Sequence, residues 1–313
     1  FNFMARNLDQ QFLNELSREE WEKIIGDVKT GMTDEEISRS VETMPREVDK
    51  YSGEGIKKRL RQRRDHLPRY GMKYYQSLSE KITINGSAKD ESFIIDLKNN
   101  NEAAVTGLRR ATNDTFYHRI FYRNETRQIN LYGLEGNDRF LIQGNGKNRF
   151  KFRLIGGEGQ NVYTAVKIPG RKASVYDSLQ LADISRKNFR VNKNWDTVFR
   201  YKRASVKLDY FIPVIRPGFN ADDGFSVELG LLYRRQKWGK EPYAWEQALA
   251  VTYASGTGAV GFQYNGLFKN TFGKWDFDLN AFYKGPRYTF FYYGLGNESG
   301  LDYNRRFYRA KAN

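Results

Sequence analysis

Beyond Phe199 the chain keeps to one grammar: segments of roughly ten residues in which apolar side chains alternate with small or polar ones, separated by turns. Phe225, Val227, Leu229, Leu231 and Tyr233 fall on one side of such a segment, and Ser226, Glu228 and Gly230 on the other. Leu249 and Val251 alternate with Ala250 and Thr252, and Val260 and Phe262 with Gly261 and Gln263. Trp275, Phe277 and Leu279 alternate with Asp276 and Asp278. A period of two sends successive side chains to opposite faces of a strand, so each segment has a greasy face and a wet one.

Any half-buried strand alternates in this way. Three features favour a bilayer as the apolar solvent. The segments match the ~9–11 residues that a tilted strand needs to cross a membrane. The face opposite the apolar one carries Gly, Ser, Asp, Asn and Gln, which suits a wet lumen. Aromatics gather near segment ends, at Trp238, Tyr243, Trp245, Trp275 and Tyr288 to Tyr293, as interfacial girdles do. A large soluble β-sandwich is the competing reading. The stretch 199–313 holds six or seven such segments, whereas the smallest bacterial barrels have about 8 strands. It therefore reads as an incomplete barrel within a longer protein.

Upstream, residues 1–81 read as helical. Ser17-Arg18-Glu19-Glu20 has capping-box spacing ahead of Trp21, Ile24, Ile25 and Val28, and Thr33-Asp34-Glu35-Glu36 repeats the device before Ile37 and Val41. From Ile82 the period changes to short strands separated by Asn-rich turns, among them Asn85-Gly86, Asn99-Asn100-Asn101 and Gly144-Asn145-Gly146. The expected organisation is a helical region at 1–81, a sandwich-like all-β domain at 82–184, a polar linker at 185–198 and transmembrane antiparallel barrel strands at 199–313. The fold class is mainly β with an N-terminal helical region.

The chain has no cysteine, which excludes thiol nucleophiles, disulfides and zinc–thiolate sites. It has two histidines, His66 and His118, too few for a two-metal phosphoesterase centre. Neither a Gly-x-Ser-x-Gly elbow nor a P-loop occurs, so this segment is expected to be non-catalytic and to need no cofactor. The net charge is +15. Its densest run, Lys57, Lys58, Arg59, Arg61, Arg63 and Arg64, lies within one expected helix. Either this helix is solvated and pairs with Glu54, Asp65 or the acidic turn at Asp34, or one face meets phosphate. No stacking platform accompanies it, so lipopolysaccharide phosphate or an envelope protein is expected as partner, and nucleic acid is not.

Two glycine-rich turns stand 23 residues apart: Gly133-Leu134-Glu135-Gly136-Asn137-Asp138 and Gly156-Gly157-Glu158-Gly159-Gln160-Asn161. Each resembles one turn of a calcium-binding nonapeptide repeat, with Glu135, Asp138 and Glu158 as the candidate ligands. Such repeats stack about every nine residues, so this wider spacing builds no obvious shared cage. The plainer reading is two turns that need positive φ, each following a strand.

Further resemblance lies in the run from Arg127 to Phe140, echoed from Phe152 to Tyr163, and in Leu60-Arg61-Gln62-Arg63-Arg64-Asp65-His66-Leu67 followed by Tyr74-Tyr75. Together they look like the middle region of large Bacteroidetes outer-membrane proteins of the bacterial surface antigen (Omp85, BamA/TamA-like) group. Phe290-Phe291-Tyr292-Tyr293-Gly294-Leu295-Gly296-Asn297-Glu298 is similar to an early barrel segment of that group. The resemblance implies a location in the outer membrane with the N-terminal part in the periplasm. It also implies a role in transport or assembly of envelope components, and contact with outer-membrane lipid and envelope proteins. Many members carry a calcineurin-like metallophosphoesterase domain upstream. An alternative is therefore that this chain is the accessory and membrane anchor of such a surface hydrolase.

Overall fold

In a computed structural model, the described residues are 4–166, 169–177, 183–184, 188–192, 200–203, 206–220, 223–273, 275–291 and 309–311. The protein is mainly β with an N-terminal helical region and several sheets. It divides into two compact units, residues 1–205 and 206–313.

The first unit opens with α1 (Arg6–Phe12), α2 (Arg18–Gly31), α3 (Asp34–Glu42) and a short α4 (Arg46–Val48). A π-type turn over Asp49–Gly53 then leads into the long α5 (Glu54–Ser79). Ser17 caps α2 with both halves of the capping box, its hydroxyl on the Glu20 N–H and the Glu20 carboxylate on its own N–H. At α3 only the Thr33 hydroxyl caps, because the Glu36 carboxylate turns aside to pair with Arg39. Ile25, Ile37, Val41, Tyr75 and Leu78 are the buried apolar side chains of this helical part.

Eleven strands follow: β1 (Lys81–Asn85), β2 (Glu91–Asn99), β3 (Glu102–Arg109), β4 (Thr115–Tyr122), β5 (Gln128–Leu134), β6 (Arg139–Gly144), β7 (Lys151–Gly157), β8 (Val162–Ala165), β9 (Ala173–Tyr176), β10 (Asp183–Ile184) and β11 (Phe189–Asn192). They form two sheets, ordered β1-β5-β7-β9-β11 and β10-β8-β6-β2-β3-β4. The chain alternates between the two at each step, apart from the hairpin β2–β3–β4. Strands stacked from successive passes are parallel. The two layers expected of a sandwich are present, but they are wound as a parallel solenoid of stacked rungs.

The step from β5–β6 to β7–β8 is 23 residues, with Ile129 on Phe152 and Arg139 on Val162, and later steps shorten to 21, with Arg153 on Ser174, and 16, with Ala173 on Phe189. The first rung stands 47 residues before the second, with Ile82 on Ile129 and Phe93 on Phe140, because the β3–β4 excursion is inserted between them. Between the sheets lies one hydrophobic core built of like residues from successive rungs. Phe93 and Phe140 stack at 5.0 Å and 10°, and Phe140 and Tyr163 at 5.0 Å and 6°. Asn99-Asn100-Asn101 does turn a hairpin, between β2 and β3. Asn85-Gly86 and Gly144-Asn145-Gly146 instead carry the chain from one sheet to the other. There a Cβ on Gly146 would come 2.3 Å from the Asn99 carbonyl oxygen of the rung below, so the corner stacks backbone on backbone. Residues 188–192, polar enough to read as linker, contain β11, which anchors itself through buried Phe189.

The second unit holds an antiparallel meander of β12 (Tyr210–Asn220), β13 (Gly224–Arg235), β14 (Trp245–Ala254), β15 (Ala259–Phe272) and β16 (Trp275–Lys284). A separate pair, β17 (Thr289–Phe291) and β18 (Arg309–Lys311), follows. Part of the aromatic run, Tyr292 and Tyr293, lies outside the described residues.

Candidate functional site

The meander is one layer thick, and its register sorts side chains by face. Ile215, Leu229, Val251, Phe262 and Tyr283 form one row across all five strands. They are 70, 55, 43, 39 and 59% exposed respectively. The next row is Pro213, Leu231, Leu249, Tyr264 and Ala281, and beyond it come Phe211, Tyr233, Gln247, Gly266 and Leu279. Toward the other end Val227, Tyr253 and Val260 align, as do Phe219 and Phe225. A shallow groove of about 360 Å³ runs between Phe211, Leu231, Tyr233, Gln247, Leu249 and Tyr264. The alternation read from sequence is thus a single continuous apolar surface, and Trp275 and Phe277 continue it at one end of β16.

The opposite face is mixed. Arg216, Glu228, Thr252, Gly261 and Lys284 make one row, and Val214, Gly230, Ala250, Gln263 and Phe282 another. Cross-strand ion pairs hold it: Arg216 to Glu228 at 2.8 Å, and Arg234 to Glu246. The Arg234 guanidinium also sits 4.9 Å from the Tyr210 ring and 4.5 Å from that of Tyr243. Small and charged residues dominate here, although Ile212, Val214, Leu232, Leu267 and Phe282 make this face less polar than the alternation alone suggests. At one end of the sheet aromatics cluster, with Tyr233 against Trp245 at 5.0 Å and Phe268 against Phe277 at 5.8 Å.

Among its described residues the second unit buries only four apolar side chains, Tyr243, Ala244, Ala254 and Ala259. The large core cluster belongs wholly to residues 82–189. An uncovered, continuous apolar face of this kind marks an interaction surface.

The glycine-rich turns come together in an unexpected way. Because 23 residues is the step between these two rungs, they stack directly as the β5–β6 and β7–β8 corners. Two side-chain ladders climb these corners in opposite senses. Asp138 Oδ1 accepts from the Glu91 N–H at 2.8 Å, and Asn161 Oδ1 accepts from the Asp138 N–H at 2.9 Å. Beside them, Asp90 Oδ1 accepts from the Asn137 N–H at 2.9 Å and Asn137 Oδ1 from the Gln160 N–H at 2.8 Å. Asp138 is fully buried, and its Oδ2 has no hydrogen-bond partner. Burial, with Glu91 and Asp90 adding to it, pushes this carboxyl up to about 7. Glu135 and Glu158 instead point to solvent, Glu158 lying 3.7 Å from Arg200. Among the described residues no three acidic or histidine side chains are grouped to hold a metal ion. The chemistry visible at the corner is amide capping by Asp and Asn oxygens.

The basic run splits. Lys57 reaches Glu54 at 3.2 Å and Glu42 at 3.6 Å, while Arg61 and Arg64 converge on Asp34 at 3.4 and 2.6 Å. Lys58, Arg59 and Arg63 face solvent on the other side of α5. His66 lies edge-on to Tyr70 at 5.8 Å, and His118 Nδ1 is 3.0 Å from the Thr106 hydroxyl.

No family model, curated protein or solved structure matches the chain.

Proposed function

We propose that this chain is an envelope protein whose second unit is a portion of an outer-membrane β-barrel. The apolar rows centred on Leu229, Val251 and Phe262 face lipid, and the mixed face lines the interior. The observation that carries this reading is the size and continuity of the exposed apolar surface in a sheet without a core of its own. Water penalises that surface and lipid does not. Supporting it are strands of 10–14 residues, long enough to cross a bilayer when tilted. The aromatic end at Tyr233, Trp245, Phe268 and Phe277 suits the headgroup level. Among the described residues no helix is long and apolar enough to span.

The resemblance to the surface antigen (Omp85-type) group gives the role: transport or assembly of envelope components, through strand pairing at the open sheet edges β12 and β16. The helical region and solenoid then form the periplasmic part, and covalent catalysis belongs elsewhere.

Reconstitution into phosphatidylcholine vesicles followed by protease treatment tests the reading. Strands β12–β16 should survive as a protected, alkali-resistant fragment. Complete digestion, or recovery of the chain in the aqueous fraction, would overturn it.

A further inference from the structure

The outward side of α5 carries a charge pattern that the helical packing does not use. Taking about 100° of rotation per residue, Lys58, Arg69, Lys73, Arg59 and Arg63 fall within about 140° of arc. All five are exposed, and none forms an ion pair among the described residues. Gln62, His66 and Tyr70 fill the gaps of the same arc, which contains no carboxylate. Asp65, the acid of α5 that falls closest to the arc, lies beyond its edge and is held by Arg64 at 3.1 Å. The three cations on the other side, Lys57, Arg61 and Arg64, are neutralised by Glu42, Glu54 and Asp34. The helix therefore separates its charges, with balance where it packs and unopposed excess where it is free.

Its shape narrows the ligand. The five cations are spread over about 22 Å of a helix that carries Pro68 within that span, so they fit an extended plane of negative charge better than one small anion. Tyr70, 58% exposed, lies in the stripe with the Arg69 guanidinium 5.9 Å from its ring, an amphipathic side chain placed as at a headgroup boundary.

We infer that this α5 stripe lies on a membrane surface by binding the phosphates of anionic lipid headgroups. The choice of a membrane as the anionic plane rests on the lipid-facing reading of the second unit. The charge separation itself stands on α5 alone.

The test uses the full chain with Gln62→Cys, a unique labelling site because the protein has no cysteine. An environment-sensitive dye there reports directly on the stripe. With vesicles of phosphatidylcholine plus phosphatidylglycerol the dye emission should shift to the blue, reverting at high salt. Vesicles of phosphatidylcholine alone should produce no shift. Replacing Lys58, Arg59, Arg63, Arg69 and Lys73 together by Gln should raise the half-saturating lipid concentration by more than about tenfold, given a contribution from each basic residue. Salt reversal on the unmutated stripe keeps the test valid if that variant misfolds. An equal shift with phosphatidylcholine, no shift with either lipid, or a stronger response to an oligonucleotide at equal phosphate would overturn the inference. Protease protection of β12–β16 in the same samples separates the two claims. Protected strands with a silent dye sink only the stripe, and a responsive dye with unprotected strands sinks only the barrel reading.

Discussion

Asp138 occupies the corner position that Asn161 fills one rung later, so neighbouring rungs compare an acid with its neutral isostere at one site. Burial raises the folded carboxyl from its ordinary 3.8 to about 7. The sign follows. Below 3.8 the group is protonated in folded and unfolded chains alike. Between 3.8 and about 7 only the unfolded chain ionises, so stability falls as pH rises, and above about 7 the loss is complete. That gap corresponds to of order 4 kcal/mol at most. Asp138→Asn keeps the oxygen that caps Glu91 and removes the ionisation. Hydrogen exchange of the β5–β8 amides at pH 8 should be slower in the variant than in the parent, and the two should agree at pH 4. A variant that exchanges faster at pH 8 would contradict this account. Glycines differ just as sharply by place. At Gly159, φ is +102° and a Cβ would stand 1.9 Å from the Gly136 carbonyl oxygen, so Gly159→Ala should cost more than about 2 kcal/mol in denaturant unfolding. Gly26, inside α2 with open space around it, should instead gain roughly 0.5–1 kcal/mol as Ala.

Helices meet strands through one buried polar network. The Arg119 guanidinium on β4 donates to the Asn14 carbonyl at 2.5 Å and to the Tyr75 hydroxyl at 3.2 Å, and that hydroxyl donates to Glu125 at 2.7 Å. Glu125 also receives Arg18 of α2 at 3.1 Å. Asn14 reaches β1 by donating to the Thr83 carbonyl at 2.8 Å, so α1, α2 and α5 cover the first rung as a cap, which stacked repeats require. Arg119→Ala takes a buried donor from the Asn14 carbonyl and from the Tyr75 hydroxyl that holds Glu125. A loss of about 2–4 kcal/mol is expected, seen as faster exchange in α5 and β1. Unchanged exchange would remove the network from its role. In the second unit, Leu229→Arg should lose about 2–4 kcal/mol in bilayer unfolding if its row lies near the midplane. Some of this was legible in sequence and some was not. Ser17 with Glu20, and the odd–even pattern of β13, are local signals and survive folding intact. The solenoid was hidden because the β3–β4 insertion stretches the first repeat to 47 residues, so Phe93, Phe140 and Tyr163 do not read as one evenly spaced ladder. Set against a nine-residue period, the glycine-rich turns read as two separate turns. The structure stacks them on each other, one 23-residue step apart. The split of the basic run depended on where Asp34 would land, a tertiary fact that no spacing carries.

The two units place their apolar side chains differently. The first holds its Phe, Ile and Leu between two sheets and satisfies its corners with Asn and Asp oxygens. The second wears its apolar side chains outside. The same alternation that would bury one face of a soluble strand here leaves Ile215, Leu229 and Tyr283 more than half exposed across a five-stranded sheet. Such a face marks an interaction surface, and on the reading proposed above lipid covers it. Spin labels placed singly on the two faces, by Leu229→Cys and Ala250→Cys in the full chain within lipid vesicles, test this most directly. The account predicts that the Leu229 label collides with membrane-dissolved oxygen and is shielded from a water-soluble nickel chelate, with the Ala250 label showing the reverse. A Leu229 label as open to the chelate as the Ala250 label, or one screened from both reagents in detergent-free buffer, would contradict it.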